Sequence, residues 1–254
     1  MTALASSSTE ALHSDAAGLD LRPDAEILSQ LLRAQQEALS AMASALPEIA
    51  AASELLTESI RNNGCIHYVA AGSSALMGLA DGAEIPGTFG IAADRIEIHM
   101  AGGVPTNGDM PGHTEDNDVA ALAAAGTVQP NDVVIAISAS GSTPYPLRFV
   151  KAARERGAAI ISIANNADTP LLELADVGIH LNTPAELIAG STRLGAATSQ
   201  KVALNMMSTL TGIRLGHVFD GMMVNVVADN EKLRGRALGI VTCVTGVSDA
   251  TAQS

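Results

Sequence analysis

The sequence predicts an α/β protein, in which a doubly wound parallel sheet of about five strands is flanked by helices. Short apolar runs alternate with helical stretches from residue 65 onward. Most of these runs end in Gly, Ser or Asn, which favour the tight turns between a strand and the next helix. Strands and crossover helices that alternate at this rhythm are typical of a parallel sheet covered on both faces.

In the first segment of the chain, the apolar residues show little recurrence at helical or strand spacing. Residues 1–22 are rich in Ser, Ala and Thr, and we interpret them as a flexible N-terminal arm. Residues 23–254 are then expected to form a single domain that begins with N-terminal helices. Apolar residues recur at helical spacing over residues 24–52, and Pro47 marks either a break or the first turn of a second helix.

The strands and the longer helices follow from the pattern of apolar residues. Residues 144–157 predict a crossover helix, because Pro144 favours a first turn and Gly157 favours the position just past the end. Residues 196–215 predict another long helix. The predicted strands are residues 65–70, 95–100, 132–137, 158–163 and 177–181.

Composition narrows the class of protein and of partner. Hydrophobic residues make up 47% of the chain, Trp is absent and only 2 Tyr and 3 Phe occur, which predicts an aliphatic core. The formal charge of −13 argues against nucleic acid as a partner, because phosphate backbones require a surplus of Lys and Arg. No apolar run approaches the ~20 residues of a membrane span, so no membrane partner is expected.

Cysteine usage and the N-terminal residues predict a cytoplasmic protein. Cys65 and Cys243 can make no disulfide framework and have no metal-binding spacing. Both adjoin apolar residues, which predicts that their thiols are buried. The N-terminal residues lack a charged region followed by an apolar one, so no signal peptide is expected.

Two polar loops follow predicted strands at the edge of the sheet where ligands bind in this architecture. The first is Gly72, Ser73 and Ser74, and the second runs from Ser138 to Thr143 with the sequence Ser-Ala-Ser-Gly-Ser-Thr. Hydroxyls and free N–H groups at a helix N-terminus can hold a phosphate without a cationic side chain. The alternative is that these residues only cap the following helices. Because two such loops occur at equivalent strand ends, the pattern favours phosphate binding.

Two carboxylates lie in polar, glycine-rich stretches that follow strands, where active-site loops are found. They are Glu84 and Glu115, and as a pair they can act as acid and base if their environments separate their pKa values. From the residues alone, solvated surface groups remain the alternative. His113, close to Glu115, is a further candidate for contact with substrate.

No metal site is predicted from the spacing of potential ligands. His67, His99 and His180 alternate with apolar residues in predicted strands, which favours structural roles for all three. The acidic residues over positions 115–118 are interpreted as a solvated loop.

A long segment of the C-terminal half resembles the signature of a known family. Residues 189–209, AGSTRLGAATSQKVALNMMST, resemble the N-acetylmuramic acid 6-phosphate etherases, which have the sugar isomerase (SIS) type of fold. The segments ASGSTPY at 139–145, EIPGTFG at 84–90 and MVNVVADNEKL at 223–233 support the resemblance. The similarity covers residues 45–247 and implies a SIS-type domain.

The resemblance implies a carbon–oxygen lyase that removes D-lactate from N-acetylmuramic acid 6-phosphate or a related substrate, with no metal or organic cofactor. By similarity, Glu115 is the base that takes the proton from C2 of the sugar, and Glu84 is the acid that assists lactate departure. The resemblance also implies a homodimer, with Glu84 or its loop close to the partner subunit. The substrate-binding residues that it implies are Ser73, Ser74, Ser140, Gly141, Ser142, Thr143, Glu186, Ser191, Thr192 and Lys201.

The chain departs from the family pattern at three cations. Leu76, Ser142 and Gly195 occupy positions where the family usually has Arg, Arg and Lys. Family members also usually continue past the position of Ser254 into a small helical domain. Two other functions stay open. A sugar-phosphate isomerase shares the proton abstraction next to a carbonyl, and a non-catalytic sugar-phosphate sensor is favoured by the missing cations. Retention of both carboxylates favours the lyase.

Overall fold

The computed structural model describes residues 7–110 and 112–253, which contain a parallel sheet with the strand order β2-β1-β3-β4-β5. The strands are β1 (Ile66–Ala70), β2 (Ile96–Met100), β3 (Val133–Ser138), β4 (Ala159–Ala164) and β5 (Val177–His180). Each predicted strand is confirmed to within about one residue at either end, and so is the predicted fold class. The order reverses between β1 and β3, which makes the crevice at their carboxyl ends the expected ligand site.

Helices cover both faces of the sheet. They are α1 (Asp24–Ser40), α2 (Leu46–Arg61), α3 (Gly72–Gly82), α4 (Ile85–Phe89), α5 (Asp118–Ala124), α6 (Pro144–Glu155), α7 (Pro170–Glu173), α8 (Gly195–Arg214), α9 (Glu231–Thr245) and α10 (Asp249–Ala252). Short 3-10 turns occur at Ser8–Glu10, Leu19–Leu21, Ala41–Ala45, Ala93–Arg95 and Ala125–Thr127.

The central strand β3 shows why both faces must be covered, because its side chains alternate between two apolar clusters. Val133, Ile135 and Ile137 pack in the cluster that includes α2, α3 and α8. Val134 and Ala136 pack in the cluster that includes α5, α6 and α7. All five side chains are buried, as expected for a parallel strand between two helical layers.

The predicted N-terminal helical stretch consists of α1 and α2, joined by the 3-10 turn Ala41–Ala45. Pro47 is the second residue of α2, where its missing N–H costs no intrahelical hydrogen bond. The predicted helices at 144–157 and 196–215 are confirmed as α6 and α8. Within the described parts of the chain, no helix is long and apolar enough to cross a membrane.

Residues 7–9, at the start of the described part of the predicted flexible arm, contact the loop that follows β4. Ser8 Oγ donates to Asn166 Oδ1 at 2.9 Å, and Thr9 N donates to the same oxygen at 3.3 Å. Thr9 is buried by these contacts. The segment therefore lies at the carboxyl edge of the sheet, while flexibility of residues 1–22 stays a prediction.

A buried carboxylate joins α3 to β1 and α8. Tyr68 Oη donates to Asp81 Oδ2 at 2.7 Å, and Asn205 Nδ2 and Ser208 Oγ donate to Asp81 Oδ1 at 2.7 and 2.9 Å. Burial raises the pKa of Tyr68 well above its ordinary value, so the phenol stays a donor. The network fixes the direction in which α3 leaves β1, and with it the position of the first turn of α3 at the carboxyl edge.

His67 and His99 meet on one face of the sheet, although they are 32 residues apart in the chain. Their ring planes are 14° apart with centroids separated by 5.3 Å. Burial lowers the pKa of His99 to about 4, so its imidazole is neutral at neutral pH. His180 lies on β5 and is half-buried, and a structural role for it stays a prediction.

The two cysteines differ in exposure. Cys65 is half-buried just before β1, where burial raises the pKa of its thiol. Cys243 lies on α9 and is exposed, so the prediction of a buried thiol is wrong there. None of the α9 residues is buried against the described part of the chain. The apolar residues next to Cys243 in the sequence therefore do not shield its thiol from solvent.

Candidate active site

A cavity of about 170 Å³ lies at the carboxyl ends of β1 and β3, where the strand order reverses. Five segments form its walls: the N-terminal segment, the start of α3, the turn that contains Glu115, the loop after β3 and the loop before α8. The residues that line it are Thr9, Glu10, Ala71, Gly72, Ser73, Ser74, Glu115, Ser138, Ala139, Ser140, Thr143, Gly190 and Thr192. This is the crevice in which a doubly wound sheet binds its ligand.

The loop from Ser138 to Thr143 gathers its hydroxyl groups into one cluster. Ser138 Oγ lies 2.8 Å from Thr143 Oγ1 and 3.2 Å from Ser140 Oγ, and it accepts a hydrogen bond from Gly141 N at 3.1 Å. Gly141 has a φ of +69°, a left-handed conformation that favours glycine. Hydroxyls can donate to an oxyanion, so the cluster presents several donors to the cavity.

Neither helix that begins at the cavity is capped by its N-cap side chain, which argues against a pure capping role for these loops. The N-cap residues are Ala71 for α3 and Thr143 for α6, and neither makes a side-chain cap hydrogen bond. Ser73 and Ser74 lie in the first turn of α3 and line the cavity. N–H groups in this turn have no intrahelical partner and lie at the positive end of the helix dipole, which favours a bound phosphate.

Glu115 lies beside the loop that leads from β1 into α3. Its carbonyl oxygen accepts a hydrogen bond from Tyr145 N at 2.8 Å, which fixes the turn against α6. A Cβ added to Gly72 would lie 3.2 Å from Glu115 Oε1, so the carboxylate is close to the start of α3. Glu115 is solvent-exposed as a residue and can exchange a proton with water.

The structure brings half of the predicted site residues together. Those that line the cavity are Glu115, Ser73, Ser74, Ser140, Thr143 and Thr192. Among the residues that the structure describes, the lining does not include Glu84, Gly141, Ser142, Glu186, Ser191, Lys201 or His113. Gly141 and Ser142 belong to the hydroxyl-bearing loop itself, whereas Glu84 and Lys201 are exposed elsewhere on the surface.

Glu186 has both carboxylate oxygens occupied at the N-terminus of α8. They accept hydrogen bonds from Gly195 N at 2.9 Å and from Ala196 N at 2.8 Å, and the side chain is buried. A carboxylate at this end of a 20-residue helix is stabilised by the helix dipole. A Cβ added to Gly195 would lie 3.1 Å from Ala38 Cβ, so the Lys that the family usually has there would need Ala38 to shift by a few tenths of an ångström.

Two polar lining residues, Thr9 and Glu10, lie outside every predicted site segment. Both belong to the predicted flexible arm, and Glu10 brings a second carboxylate to the cavity beside Glu115. A segment without hydrophobic period carries no sequence signal for such a contact. Only the folded chain shows that residues 7–10 reach the carboxyl edge of the sheet.

The lining provides no cationic side chain within the part of the chain that the structure describes. Leu76, at one position where the family has Arg, packs against the aliphatic core. Ser142, at another, is exposed, and its Oγ donates to Ser140 Oγ at 3.2 Å. The donors that this lining offers to an anion are therefore hydroxyls and backbone N–H groups.

Comparison with solved structures and with family models agrees with the observed fold. The SIS domain family matches residues 109–214. The solved structure of E. coli CFT073 c3406 in complex with A5P has a TM-score of 0.59 and 16% identity, and the match covers 79% of this chain and 97% of that one. At this identity the likeness concerns the fold alone.

The chain is similar over nearly its whole length to proteins named N-acetylmuramic acid 6-phosphate etherase. It is 42% identical to the Thermobifida fusca protein over 242 residues, which are 95% of this chain and 79% of the relative. It is 43% identical to the Symbiobacterium thermophilum protein over 202 residues, which are 79% of this chain and 67% of the relative. The chain therefore belongs to the N-acetylmuramic acid 6-phosphate etherase family.

Proposed function

We propose that this protein is a cytoplasmic carbon–oxygen lyase that releases D-lactate from N-acetylmuramic acid 6-phosphate or a closely related amino-sugar phosphate. The observation that carries the proposal is the position of Glu115 beside a hydroxyl-lined cavity in a chain of the etherase family. Family membership supports the substrate class, and the cavity offers an oxyanion site and a carboxylate in one crevice.

The phosphate of the substrate is placed between the start of α3 and the loop after β3. The hydroxyls of Ser73, Ser74, Ser140 and Thr143 all line the cavity. Hydrogen bonds from hydroxyls and from free N–H groups to a charged oxygen are stronger than those between neutral groups. With the phosphate held there, the sugar extends toward Glu115.

The proposed reaction uses the acidity of the C2 proton in the ring-opened sugar. The C1 aldehyde stabilises the negative charge that forms when Glu115 takes this proton. The electron pair forms a C2–C3 double bond and expels the ether oxygen from C3, and lactate leaves with a proton from an acid. Water then adds across the double bond, with its hydroxyl on C3 and a proton on C2, which gives N-acetylglucosamine 6-phosphate. Atoms, protons and electrons balance over these steps without an organic cofactor or a metal.

The proposed acid, Glu84, is supplied to the site by a second copy of the chain. Glu84 follows the end of α3 and lies one turn past Asp81, whose carboxylate accepts from Asn205 Nδ2. Asn205 lines an apolar groove of about 520 Å³ between α2 and α8. The rest of this groove is formed by Leu46, Ile49, Ala50, Val202, Met206, Thr209, Leu210 and Ile213. We propose this groove as the centre of a homodimer interface near Glu84.

We expect the purified protein to have twice the 25.8 kDa mass of one chain in light scattering at micromolar concentration. Ile213→Asp places a charge in the groove, where the side chain is 49% exposed in a single chain, and should yield monomers. Val119→Asp is the control, because Val119 is 78% exposed on α5 and lies outside the groove. A wild-type monomer, or equal masses for the two variants, would count against this interface.

The direct test of the function is release of D-lactate from N-acetylmuramic acid 6-phosphate. Coupled oxidation of the lactate measures turnover, and NMR of the remaining sugar identifies the product. The isomerase alternative predicts conversion of an aldose phosphate to a ketose phosphate without lactate. The sensor alternative predicts binding of the sugar phosphate with neither lactate release nor exchange of the C2 proton.

A further inference from the structure

Three potential metal ligands converge on β1 and β2, away from the candidate active site. His67 Nδ1 lies 3.0 Å from His99 Nε2 and 3.5 Å from Glu97 Oε2, and His99 Nε2 lies 3.3 Å from that same oxygen. A tetrahedral ion with bonds of 2.0–2.1 Å has its ligand atoms about 3.3–3.4 Å apart. The three atoms therefore have nearly the spacing of one face of such a tetrahedron.

The strand register explains why these side chains meet. His67 on β1 is directly paired with Glu97 on β2, and His99 lies two residues further along β2. Side chains two residues apart point to the same face of a sheet. Two imidazoles and one carboxylate thus lie on one side of the β1–β2 pair, which is the outer edge of the sheet.

A second carboxylate holds His67 in the tautomer that metal binding requires. His67 Nε2 lies 3.0 Å from Asp132 Oδ2, and the same carboxylate accepts from Cys65 N and Gln129 N at 2.7 and 2.6 Å. An ionised carboxylate accepts hydrogen bonds only, so His67 Nε2 carries its proton and the lone pair is on Nδ1, the atom that faces His99 Nε2. A carboxylate behind a histidine is the usual outer support of a metal-bound imidazole.

Burial and charge also fit a cation. The side chain of His67 is 1% exposed, that of His99 is 12% exposed and that of Glu97 is 35% exposed, so the cluster is closed on one side and open to solvent on the other. Thr127 Oγ1 lies 3.1 Å from Glu97 Oε2 and orients the carboxylate. Together, Glu97 and Asp132 offer two negative charges to a divalent ion.

We propose that His67, Glu97 and His99 form a binding site for Zn²⁺, with solvent as the fourth ligand. When the ion binds, the His99 proton that lies between His67 Nδ1 and His99 Nε2 moves to His99 Nδ1, so each imidazole stays neutral and presents a lone pair. The ion then cross-links the edge strand β2 to β1. Imidazole nitrogen with one carboxylate is a ligand set that suits zinc and cobalt, whereas Mg²⁺ prefers oxygen ligands. None of the three residues lines the active-site cavity described above, so the site is separate from the proposed lyase chemistry.

The test is metal binding by the full, untagged chain after removal of metal with EDTA. We expect equilibrium dialysis and elemental analysis to find one Zn²⁺ per chain. Zn²⁺ at about 100 times its Kd should raise Tm by about 5–10 °C, and Mg²⁺ should leave it unchanged. Co²⁺ bound in place of Zn²⁺ should absorb visible light with the intensity that is typical of tetrahedral Co²⁺.

His67 is buried, so a substitution there can prevent folding. The test therefore uses two variants at partly exposed positions. His99→Gln and Glu97→Gln should each weaken Zn²⁺ binding by about 100-fold or more and abolish the shift in Tm. His180→Gln, on β5, is the control and should bind as the wild type does. Absence of Zn²⁺ binding by the wild type, or wild-type affinity in both site variants, would overturn the proposal. A near-ultraviolet thiolate–Co²⁺ band that disappears in Cys65→Ser would also overturn it, because Cys65 would then be a ligand of the ion.

Discussion

Glu115→Gln should lower the rate of lactate release by a factor of about 10²–10⁴, the usual contribution of a general base. An amide nearly matches the carboxylate in shape but cannot accept the C2 proton, so the proposed reaction stops at its first step. Exchange of the C2 proton with solvent deuterium should be lost together with lactate release. The NMR signal of that proton, followed in deuterated buffer, measures exchange directly.

Glu84→Gln should separate the two steps that Glu115→Gln abolishes together. Without the acid, the ether oxygen leaves poorly, and lactate release should fall by about 10²–10⁴. The C2 proton can still leave and return, so exchange with deuterium should persist. Glu173→Gln is the comparison variant, because Glu173 is exposed at the end of α7 and does not line the cavity, and it should leave lactate release and exchange unchanged.

Wild-type turnover in both carboxylate variants would show that neither residue takes part in the chemistry. Loss of exchange in Glu84→Gln as well as in Glu115→Gln would contradict the division of roles. In that case Glu10 becomes the first residue to test, because it is the other carboxylate that lines the cavity.

Gly141→Ala should lower the free energy of unfolding by about 2–4 kcal/mol, because strain and crowding act together there. The residue has a φ of +69°, which side chains with a Cβ rarely adopt. The added Cβ would also lie 2.5 Å from Thr169 Cβ and 2.6 Å from Thr169 Cγ2, and Thr169 is buried. Thermal unfolding should show a Tm lower by about 5–15 °C.

The same substitution should weaken phosphate binding, because Gly141 N donates to Ser138 Oγ within the hydroxyl cluster. The control is Gly239→Ala on α9, where an added Cβ meets nothing within 4 Å. That change should leave Tm unchanged or slightly raised, since Ala favours a helix over Gly by about 1 kcal/mol. Equal Tm values for Gly141→Ala and the wild type would mean that the loop accommodates the methyl group at no cost.

Local patterns were sufficient to predict the sheet. A strand buried on both faces must be apolar along its length, and Val133–Ser138 shows this directly. The polar loops after β1 and β3 were predicted for a similar reason, since the chain leaves the apolar layer there. Parallel strands place their carboxyl ends at one edge, so Ser73 and Ser140 were expected to share a site, and both line the cavity.

Such local patterns could not predict contacts between segments that are far apart in the sequence. A substrate-binding role for Glu186 stays a prediction, and no local pattern indicated that its oxygens accept from Gly195 N and Ala196 N at the start of α8. Glu10 reaches the cavity only because Thr9 N and Ser8 Oγ donate to Asn166, which follows β4. The exposure of Cys243 likewise depends on what α9 packs against, which its own sequence does not specify.

The sequence by itself determined the α/β class, the strand positions, the two hydroxyl loops and the family, because each depends on residue type at short spacing or on a contiguous motif. The tertiary structure decided which of those residues face one another. His67 and His99 each look like an isolated strand histidine, and only the β1–β2 register brings them together with Glu97 as the ligand set proposed above. Side-chain chemistry is encoded locally, whereas distances of about 3 Å between residues far apart in the chain arise only from packing of the whole sheet.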